Sequence, residues 1–246
     1  MTTDHRLYSA RYFLTPGECN AQQLMPLPLL VERIIEIATL HADSLDIGYP
    51  TISREGNTWV LSRLAIEMKR WPRVDEYYEL TTWVENFGRF WSDRNLAIAD
   101  ADGNTIGYAR TVWVIMNMET RRPADLTIYP QIEGICNPEA ECPIDRPAKL
   151  AKVESGDTVG YTFQYSDIDF NRHVNSCRYI ELLLNCWPMD WHDEHPIARV
   201  DINYLKEAHY GEQVYIMAEP QGQTAHAEIV SADGTSISRA AFRFVP

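Results

Sequence analysis

The residues best suited to chemistry lie together in the ten-residue segment 166–175, which reads SDIDFNRHVN. Asp169, Asn171 and His173 alternate within it, so in an extended segment their side chains project to one side. A carboxylate, an amide and an imidazole that converge in this way suit acid–base hydrolysis of an activated acyl group. We therefore take this segment as the candidate catalytic site.

The same segment leads into a predicted helix. The first amides of a helix have no partner within it, and the helix dipole places partial positive charge there. A thioester carbonyl at this point would be polarised before attack, and we predict that Val174 and Asn175 bind substrate. A structural interpretation stands beside this one, because an Asp or Asn before a helix often caps it and a lone His is often only a satisfied polar residue. One cap accounts for one polar residue, however, and not for three.

The elements that must position this segment occur twice along the chain. In the first half a strand at 6–14 precedes a helix at 28–43, and Asp102-Gly103-Asn104 is typical of a hairpin turn. The helix has an apolar stripe at helical spacing, made of Leu27, Leu30, Ile34, Ile37 and His41. Further strands are predicted near 57–70, 76–86, 90–100 and 105–118.

The second half repeats this plan, with a strand near 158–166 and a helix near 174–187. Asp233-Gly234 again indicates a hairpin. The buried stripe of this helix is predicted to be Cys177, Ile180, Leu184 and Trp187. Strands follow near 197–207, 212–219, 224–232 and 235–245. Because strands and helices do not alternate, a doubly wound parallel sheet is excluded. The fold class is α+β, with a long helix in each half wrapped by an antiparallel sheet.

A proline-rich stretch separates the two halves. Residues 129–157 contain four prolines and no clear period, which is typical of a linker. We therefore predict an N-terminal domain at 1–128 and a C-terminal domain at 158–246. Two copies indicate a fused pair rather than a solenoid.

Composition excludes several classes of protein. The net charge of −13 argues against nucleic acid as a partner, because phosphate binding needs a basic surface. No apolar run is long enough for a membrane span, and the first residues lack the basic and apolar regions of a secretory leader. An odd count of five cysteines without metal-type spacing favours reduced thiols, so we predict a cytoplasmic protein. His192-Asp193-Glu194-His195 lacks further ligands, and we predict neither a metal nor a cofactor.

The segment Asp169-Phe170-Asn171-Arg172-His173-Val174-Asn175, followed by Tyr179, resembles the Asp-x-Asn-x-His-Val-Asn signature of plant and bacterial acyl-ACP thioesterases. The resemblance extends over about residues 6–220. It includes Arg63-Leu64 through Trp71-Pro72, Asp75, Thr82-Trp83-Val84, Trp113-Val114-Ile115-Met116-Asn117, Thr120-Arg121-Arg122 and Tyr204-Leu205-Lys206-Glu207.

This resemblance implies two tandem hot-dog folds, with Asp169, Asn171, His173 and Glu207 as the catalytic residues. Glu207 would activate water, Asn171 and His173 would orient water or substrate, and Asp169 would position the neighbouring amide and imidazole. The family's cysteine after the glutamate is Ala208 here, which favours attack by water over an acyl-cysteine intermediate. The implied reaction releases free fatty acid from acyl-loaded acyl carrier protein and ends fatty acid synthesis.

The first half lacks this polar set. The loop before its helix, Gln22-Gln23-Leu24-Met25-Pro26, has neither an acid nor a histidine, and Trp71 aligns near Glu207 when Arg63 is aligned with Arg199. We therefore predict one active site per chain, and a first domain that shapes the acyl pocket.

Other functions remain open at this point. An acyl-CoA thioesterase would use the same chemistry with contacts to nucleotide phosphates. A hot-dog dehydratase would move a proton at carbon. An acyl-binding protein has little use for charged groups in an apolar tunnel. The chain is expected to be a monomer or a homodimer, with no nucleic acid and no membrane among its partners.

Overall fold

Ten antiparallel strands form one sheet in the computed structural model, which describes residues 5–154 and 156–245. The elements of the first half are β1 (Leu7–Phe13), α1 (Leu27–Ser44), α2 (Tyr49–Ile52), β2 (Asn57–Met68), β3 (Tyr77–Phe87), β4 (Trp91–Asp100) and β5 (Thr105–Asn117). Those of the second half are β6 (Asp157–Thr162), α3 (Ser176–Leu184), α4 (Met189–Glu194), β7 (Ile197–Tyr204), β8 (Gln213–Gln221), β9 (Thr224–Ser231) and β10 (Ser236–Phe244).

The strand order is symmetric about the middle of the sheet. It runs β1-β3-β4-β5-β2 and continues β7-β10-β9-β8-β6, so each strand of one half has its counterpart at the mirrored place in the other. The central pair, β2 and β7, is antiparallel and joins Ala65 to Asp201. These two residues are also counterparts when Arg63 is aligned with Arg199, as expected if a two-fold axis passes between them. The predicted fold class is confirmed, and the two sheets merge into one.

The two long helices pack against the same face of this sheet and contact each other. Leu30, Ile34 and Ile37 of α1 are fully buried, in one cluster with Ile66 of β2 and Ile202 of β7. Each such side chain contributes roughly 1.5–3 kcal/mol on burial. The predicted stripe of α1 is confirmed.

The second long helix is shorter than predicted. It begins at Ser176, because the Asn175 side chain accepts the Cys177 N–H and caps the helix, and it ends at Leu184, before Trp187. The strand predicted at 158–166 ends at Thr162 for a similar reason, since the Asp167 carboxylate accepts the Gln164 N–H and closes a short 3-10 turn.

α1 carries a buried polar side chain, His41. His41 is fully buried, its Nδ1 lies 2.8 Å from Nη1 of Arg94, and its Nε2 lies 3.2 Å from the carbonyl of His5. Because a guanidinium only donates, Nδ1 is the acceptor and Nε2 carries the proton of a neutral ring. Burial, followed by the charge of Arg94, lowers the pKa of His41 to about 4.

The connection between the halves crosses the other face of the sheet. Its backbone N–H groups at Ala148 and Leu150 donate to the side chains of Asp201 and Asn203, at 2.9 and 3.0 Å. Alternate residues of β7 point away from the helices, so these two polar side chains hold the chain against the outer face. The boundaries 1–128, 129–157 and 158–246 stay predictions, and their residues 1–4, 155 and 246 lie outside the described residues. Within the described part of the chain, no helix is both long and apolar enough to cross a membrane.

Candidate active site

The segment before α3 is a tight turn and not the extended stretch that we predicted. The Asp169 N–H donates to the carbonyl of His173 at 2.8 Å, and Arg172 has a left-handed backbone, with φ of 64°. One oxygen of the Asp169 carboxylate, Oδ1, accepts the N–H of Asn171 at 2.8 Å and that of His173 at 3.2 Å. The Asp169 carboxylate therefore stabilises the turn by hydrogen bonds to its backbone.

The first half contains the same turn with other side chains. Asn20 Oδ1 accepts the N–H of Gln22 at 3.1 Å and that of Leu24 at 3.0 Å. The Asn20 N–H donates to the Leu24 carbonyl at 2.9 Å, and Gln23 has φ of 61°. The two turns have the same backbone hydrogen bonds. In the first turn the neutral Asn20 amide accepts the two N–H groups that the Asp169 carboxylate accepts in the second.

A further backbone hydrogen bond occurs in both halves, and in the second half it brings Glu207 to the start of α3. The Val174 N–H donates to the Ala208 carbonyl at 2.9 Å, as the Met25 N–H donates to the Pro72 carbonyl at 2.9 Å. The segment after β7 is thereby fixed against the turn. Glu207 precedes Ala208, just as Trp71 precedes Pro72 in the first half.

A buried tyrosine completes this attachment. The Tyr179 hydroxyl accepts the N–H of Ala208 at 3.1 Å, so both backbone groups of Ala208 are satisfied. Burial is the main reason that the pKa of Tyr179 is raised, which keeps the phenol neutral.

The imidazole of His173 and the guanidinium of Arg121 meet at the Glu207 carboxylate. His173 Nε2 lies 3.5 Å from Glu207 Oε2, and the same oxygen accepts a hydrogen bond from Nη2 of Arg121. The His209 ring lies edge-on to the His173 ring, with 5.0 Å between centroids. The side chains of His173 and Glu207 are 24% and 35% exposed, so solvent water reaches them.

An ion pair between the buried Asp167 and the half-buried Arg178 joins the turn to α3. The Asp167 carboxylate accepts Nε of Arg178 at 2.8 Å and the hydroxyl of Tyr161 at 2.9 Å. Burial alone raises the pKa of Asp167, but the hydrogen bonds from Gln164, Tyr161 and Arg178 outweigh it and lower the pKa overall. Asp167 thus remains a carboxylate that ties the turn to α3.

The remaining predicted site residues make no hydrogen bond or ion pair with His173 or Glu207 through their described side chains. Asn171 is exposed, and none of the residues that the structure describes forms a hydrogen bond with its side-chain amide. The N–H groups of Val174 and Asn175 are taken by the carbonyls of Ala208 and Asp167. Fewer amides are therefore free at the start of α3 than the sequence argument assumed. Substrate contacts of Asn171, Val174 and Asn175 stay predictions.

The thiols lie outside this arrangement. All five cysteines are free, and Cys177, the one on α3 beside the turn, is 2% exposed. Burial raises the pKa of Cys177 to about 12. A thiol in this state is a poor nucleophile, because the thiolate is the reactive form.

Two other polar regions lie outside the candidate site: the histidines of α4 and its C-terminal end, and a charged cleft. His192 and His195 each bond a backbone carbonyl, at 3.0 and 2.8 Å, and His195 stacks on Trp191. A cleft of about 340 Å³ is lined by the charged side chains of Glu85, Arg110 and other residues, none of which belongs to the candidate site.

The geometry combines a carboxylate, an imidazole and a cation at the positive end of a helix. A carboxylate beside an imidazole can remove a proton from water, and the helix end favours the negative charge that then develops on a carbonyl oxygen. Sequence reasoning did not assign Arg121 or His209 to the site. The resemblance at Thr120-Arg121-Arg122 was the one available signal for Arg121, since its contact with Glu207 depends on the pairing of the two halves.

Comparison with known proteins places both halves in one family. The family model of the acyl-ACP thioesterase N-terminal domain matches residues 5–129, and that of the C-terminal domain matches residues 150–245. The oleoyl-acyl carrier protein thioesterase of Coriandrum sativum, a chloroplastic protein, is 25% identical over 253 residues, which cover 95% of this chain and 69% of that protein.

Solved structures agree with this. The crystal structure of an acyl-ACP thioesterase from Bacteroides thetaiotaomicron superposes with a TM-score of 0.92 at 33% identity, and the match covers 100% of each chain. The 12:0-ACP thioesterase from Umbellularia californica shares the fold, with a TM-score of 0.85 at 19% identity over 98% of this chain and 97% of its own.

Proposed function

Since this chain belongs to the acyl-ACP thioesterase family, we propose that it hydrolyses the thioester of fatty acyl-ACP, releases free fatty acid and so terminates fatty acid synthesis. The observation that carries the proposal is the 3.5 Å approach of His173 to Glu207 beside the start of α3. This approach supports a water-activating pair on the scaffold of a thioester hydrolase.

In the proposed mechanism Glu207 is the base. It takes a proton from a water molecule while Asn171 and His173 orient water or substrate and Asp169 holds their turn. The water oxygen forms a bond to the thioester carbon, the carbon–sulfur bond breaks, and a proton reaches the departing sulfur. The products are a fatty acid and the thiol of the carrier. Val174 and Asn175 are proposed to contact the acyl group at the helix start, where the dipole favours an oxyanion.

Attack by water is favoured over an acyl-enzyme. Ala208 supplies no thiol after the proposed base. The Cys177 thiol is buried and its pKa is raised to about 12 by burial, so a negligible fraction is thiolate near neutral pH.

We also propose a division of labour between the halves. Leu24 in the first turn matches His173 in the second, and Trp71 after β2 matches Glu207 after β7. This supports a first domain, 1–128, that receives the acyl chain and carries no catalytic set. The domain 158–246 then performs the chemistry, and residues 129–157 link the two. The substrate partner is acyl-loaded acyl carrier protein, and the proposed compartment is the cytoplasm.

The test is the steady-state release of thiol from a series of acyl-ACPs and from matched acyl-CoAs. We expect fast release from the carrier protein, slow release from coenzyme A, and a fall in kcat of at least about 100-fold in Glu207→Gln, since loss of a general base typically costs this much. Glu212→Gln is the matched control, because the Glu212 carboxylate accepts the backbone N–H of His209 and the amide oxygen of Gln can accept it too.

Each outcome decides a separate point. No thiol release from either carrier overturns the hydrolase proposal in favour of a dehydratase or an acyl-binding protein. Equal rates on both carriers keep the chemistry and remove the carrier protein from the account. A Glu207→Gln variant as active as Glu212→Gln removes Glu207 as the base.

A further inference from the structure

A cation from the first half of the chain lies on the proposed base of the second half. Arg121 follows β5, and its Nη2 donates to Oε2 of Glu207. We infer that Arg121 is the positioning residue for the Glu207 carboxylate, an inference that rests on the proposed function. The site is then completed by both halves, although the predicted catalytic residues all come from the second.

The register of the sheet explains how Arg121 reaches the site. β5 pairs with β2 and ends with Asn117 opposite Asn57. β7 pairs with β2 on its other side and also runs antiparallel to it, so the chain beyond Tyr204 leaves the sheet at the same end. Glu207 and the turn after β5 therefore meet near the start of β2.

The turn that presents Arg121 is held in a specific shape. The Asn117 side chain accepts the Thr120 N–H at 2.9 Å, and the Asn117 carbonyl accepts the Arg121 N–H at 2.9 Å. Arg121 has φ of 55°, in the left-handed region that a residue with a side chain rarely adopts. Non-glycine residues in this region cluster at functional sites, where the surroundings over-determine the backbone.

The contact between Arg121 and Glu207 is better suited to orienting the carboxylate than to stabilising the fold. The Arg121 and Glu207 side chains are 46% and 35% exposed, and ion pairs at this exposure add little to folding stability. Arg121 and His173 both face Oε2, and within the described part of the chain no group donates a hydrogen bond to Oε1. Because the last torsion of a glutamate is soft, a guanidinium on one oxygen fixes the carboxylate and leaves Oε1 directed to water.

The test compares Arg121→Gln and Arg121→Lys with Arg122→Gln, on the acyl-ACP that the wild type hydrolyses fastest. Gln and Lys meet the same backbone constraint as Arg, so only the side-chain contact changes. We expect kcat of Arg121→Gln to fall roughly 10- to 100-fold, as for a misplaced catalytic group, with KM within about twofold because substrate binding is kept. Arg121→Lys should recover part of kcat, since it keeps a cationic donor. Arg122, exposed on the same turn, is the control for loss of charge and should leave kcat unchanged.

The outcomes separate this inference from the proposed function. If Arg121→Gln raises KM and leaves kcat unchanged, Arg121 binds the carrier and the inference is overturned. Wild-type kcat and KM in Arg121→Gln overturn it as well. A fall in melting temperature that parallels the loss of kcat, with no recovery in Arg121→Lys, assigns Arg121 a merely structural role. If wild type releases no thiol at all, the proposed function fails first, whereas an inactive Glu207→Gln beside a fully active Arg121→Gln refutes only the positioning role.

Discussion

Replacement of Asp169 by Asn distinguishes a turn-building carboxylate from a catalytic one. Asp169 Oδ1 accepts two backbone N–H groups, and Asn20 Oδ1 accepts the equivalent pair in the first half with a neutral amide. An Asn at 169 can therefore keep the turn and the position of His173. We expect Asp169→Asn to retain kcat within about tenfold, and Asp169→Ala to lose about 100-fold because His173 is no longer held in place.

The expected stability changes follow from the two hydrogen bonds. A bond to a charged acceptor contributes about 1.5–3 kcal/mol and a neutral one about 0.5–1.5 kcal/mol. The bond to the Asn171 N–H, at 2.8 Å, is in the charge-assisted range, and the one to the His173 N–H, at 3.2 Å, is weaker. Asp169→Asn should thus cost about 1 kcal/mol and Asp169→Ala about 3 kcal/mol. For a chain of this size these are falls in Tm of roughly 2–4 °C and 6–12 °C.

The assay pairs thermal unfolding with acyl-ACP hydrolysis for both Asp169 variants and for Asn20→Ala. The first-half variant removes the equivalent bonds from a turn that carries none of the candidate catalytic residues, so it should lower Tm by a few degrees and leave kcat unchanged. The reasoning is refuted if Asp169→Asn loses as much kcat as Asp169→Ala while its Tm stays near that of the wild type. The negative charge would then act in the reaction itself.

Two further predictions concern buried groups. Tyr179→Phe leaves the buried Ala208 N–H without an acceptor, so we expect a loss of about 1–3 kcal/mol in the free energy of unfolding together with a lower kcat; wild-type values for both in denaturation and kinetic assays would contradict this. The pKa of His41 falls from 6.5 unfolded to about 4 folded, so its contribution to stability is complete above about pH 6.5 and is lost as pH falls toward 4, about 3 kcal/mol in all. Urea titrations across this range should show a smaller pH dependence in His41→Gln, and an unchanged dependence would contradict the assignment.

The sequence predicts the fold well because its signals are local and repeated. The stripe on α1 and the hairpin glycines at 103 and 234 give the long helix and the strands of each half within a few residues, although the short helices α2 and α4 were not predicted. The pairing of β2 with β7, which turns two sheets into one, is not visible in this way. It depends on contacts between strands more than a hundred residues apart, and no short-range pattern encodes them.

The candidate site is predicted less completely, for a related reason. The types Asp169, Asn171, His173 and Glu207 are visible in the sequence, but alternation suggested an extended segment where hydrogen bonds to Asp169 Oδ1 close a turn. A side chain that accepts two backbone N–H groups competes with extended structure, and periodicity does not reveal it. Arg121 was missed because its partner lies in the other half.

The internal repeat separates the features that both halves share from those that only the second half has. Both halves keep the turn, and both keep the bond that ties it to the segment after β2 or β7, so these features belong to the scaffold. What differs is confined to a few side chains, with Leu24 in the place of His173 and Trp71 in the place of Glu207. Trp71 is 9% exposed, and its Nε1 donates to the Ile197 carbonyl at 2.8 Å, so the position that presents a carboxylate to water in one half is closed by an aromatic ring in the other. A hydrogen-bonding role that is filled in both halves, by Asn20 in one and Asp169 in the other, thus indicates a candidate for folding. A position whose side chain differs in both type and contacts between the halves is a candidate for catalysis. By this criterion His173 and Glu207 are the first residues to test for chemistry, and Asp169 the first to test for structure.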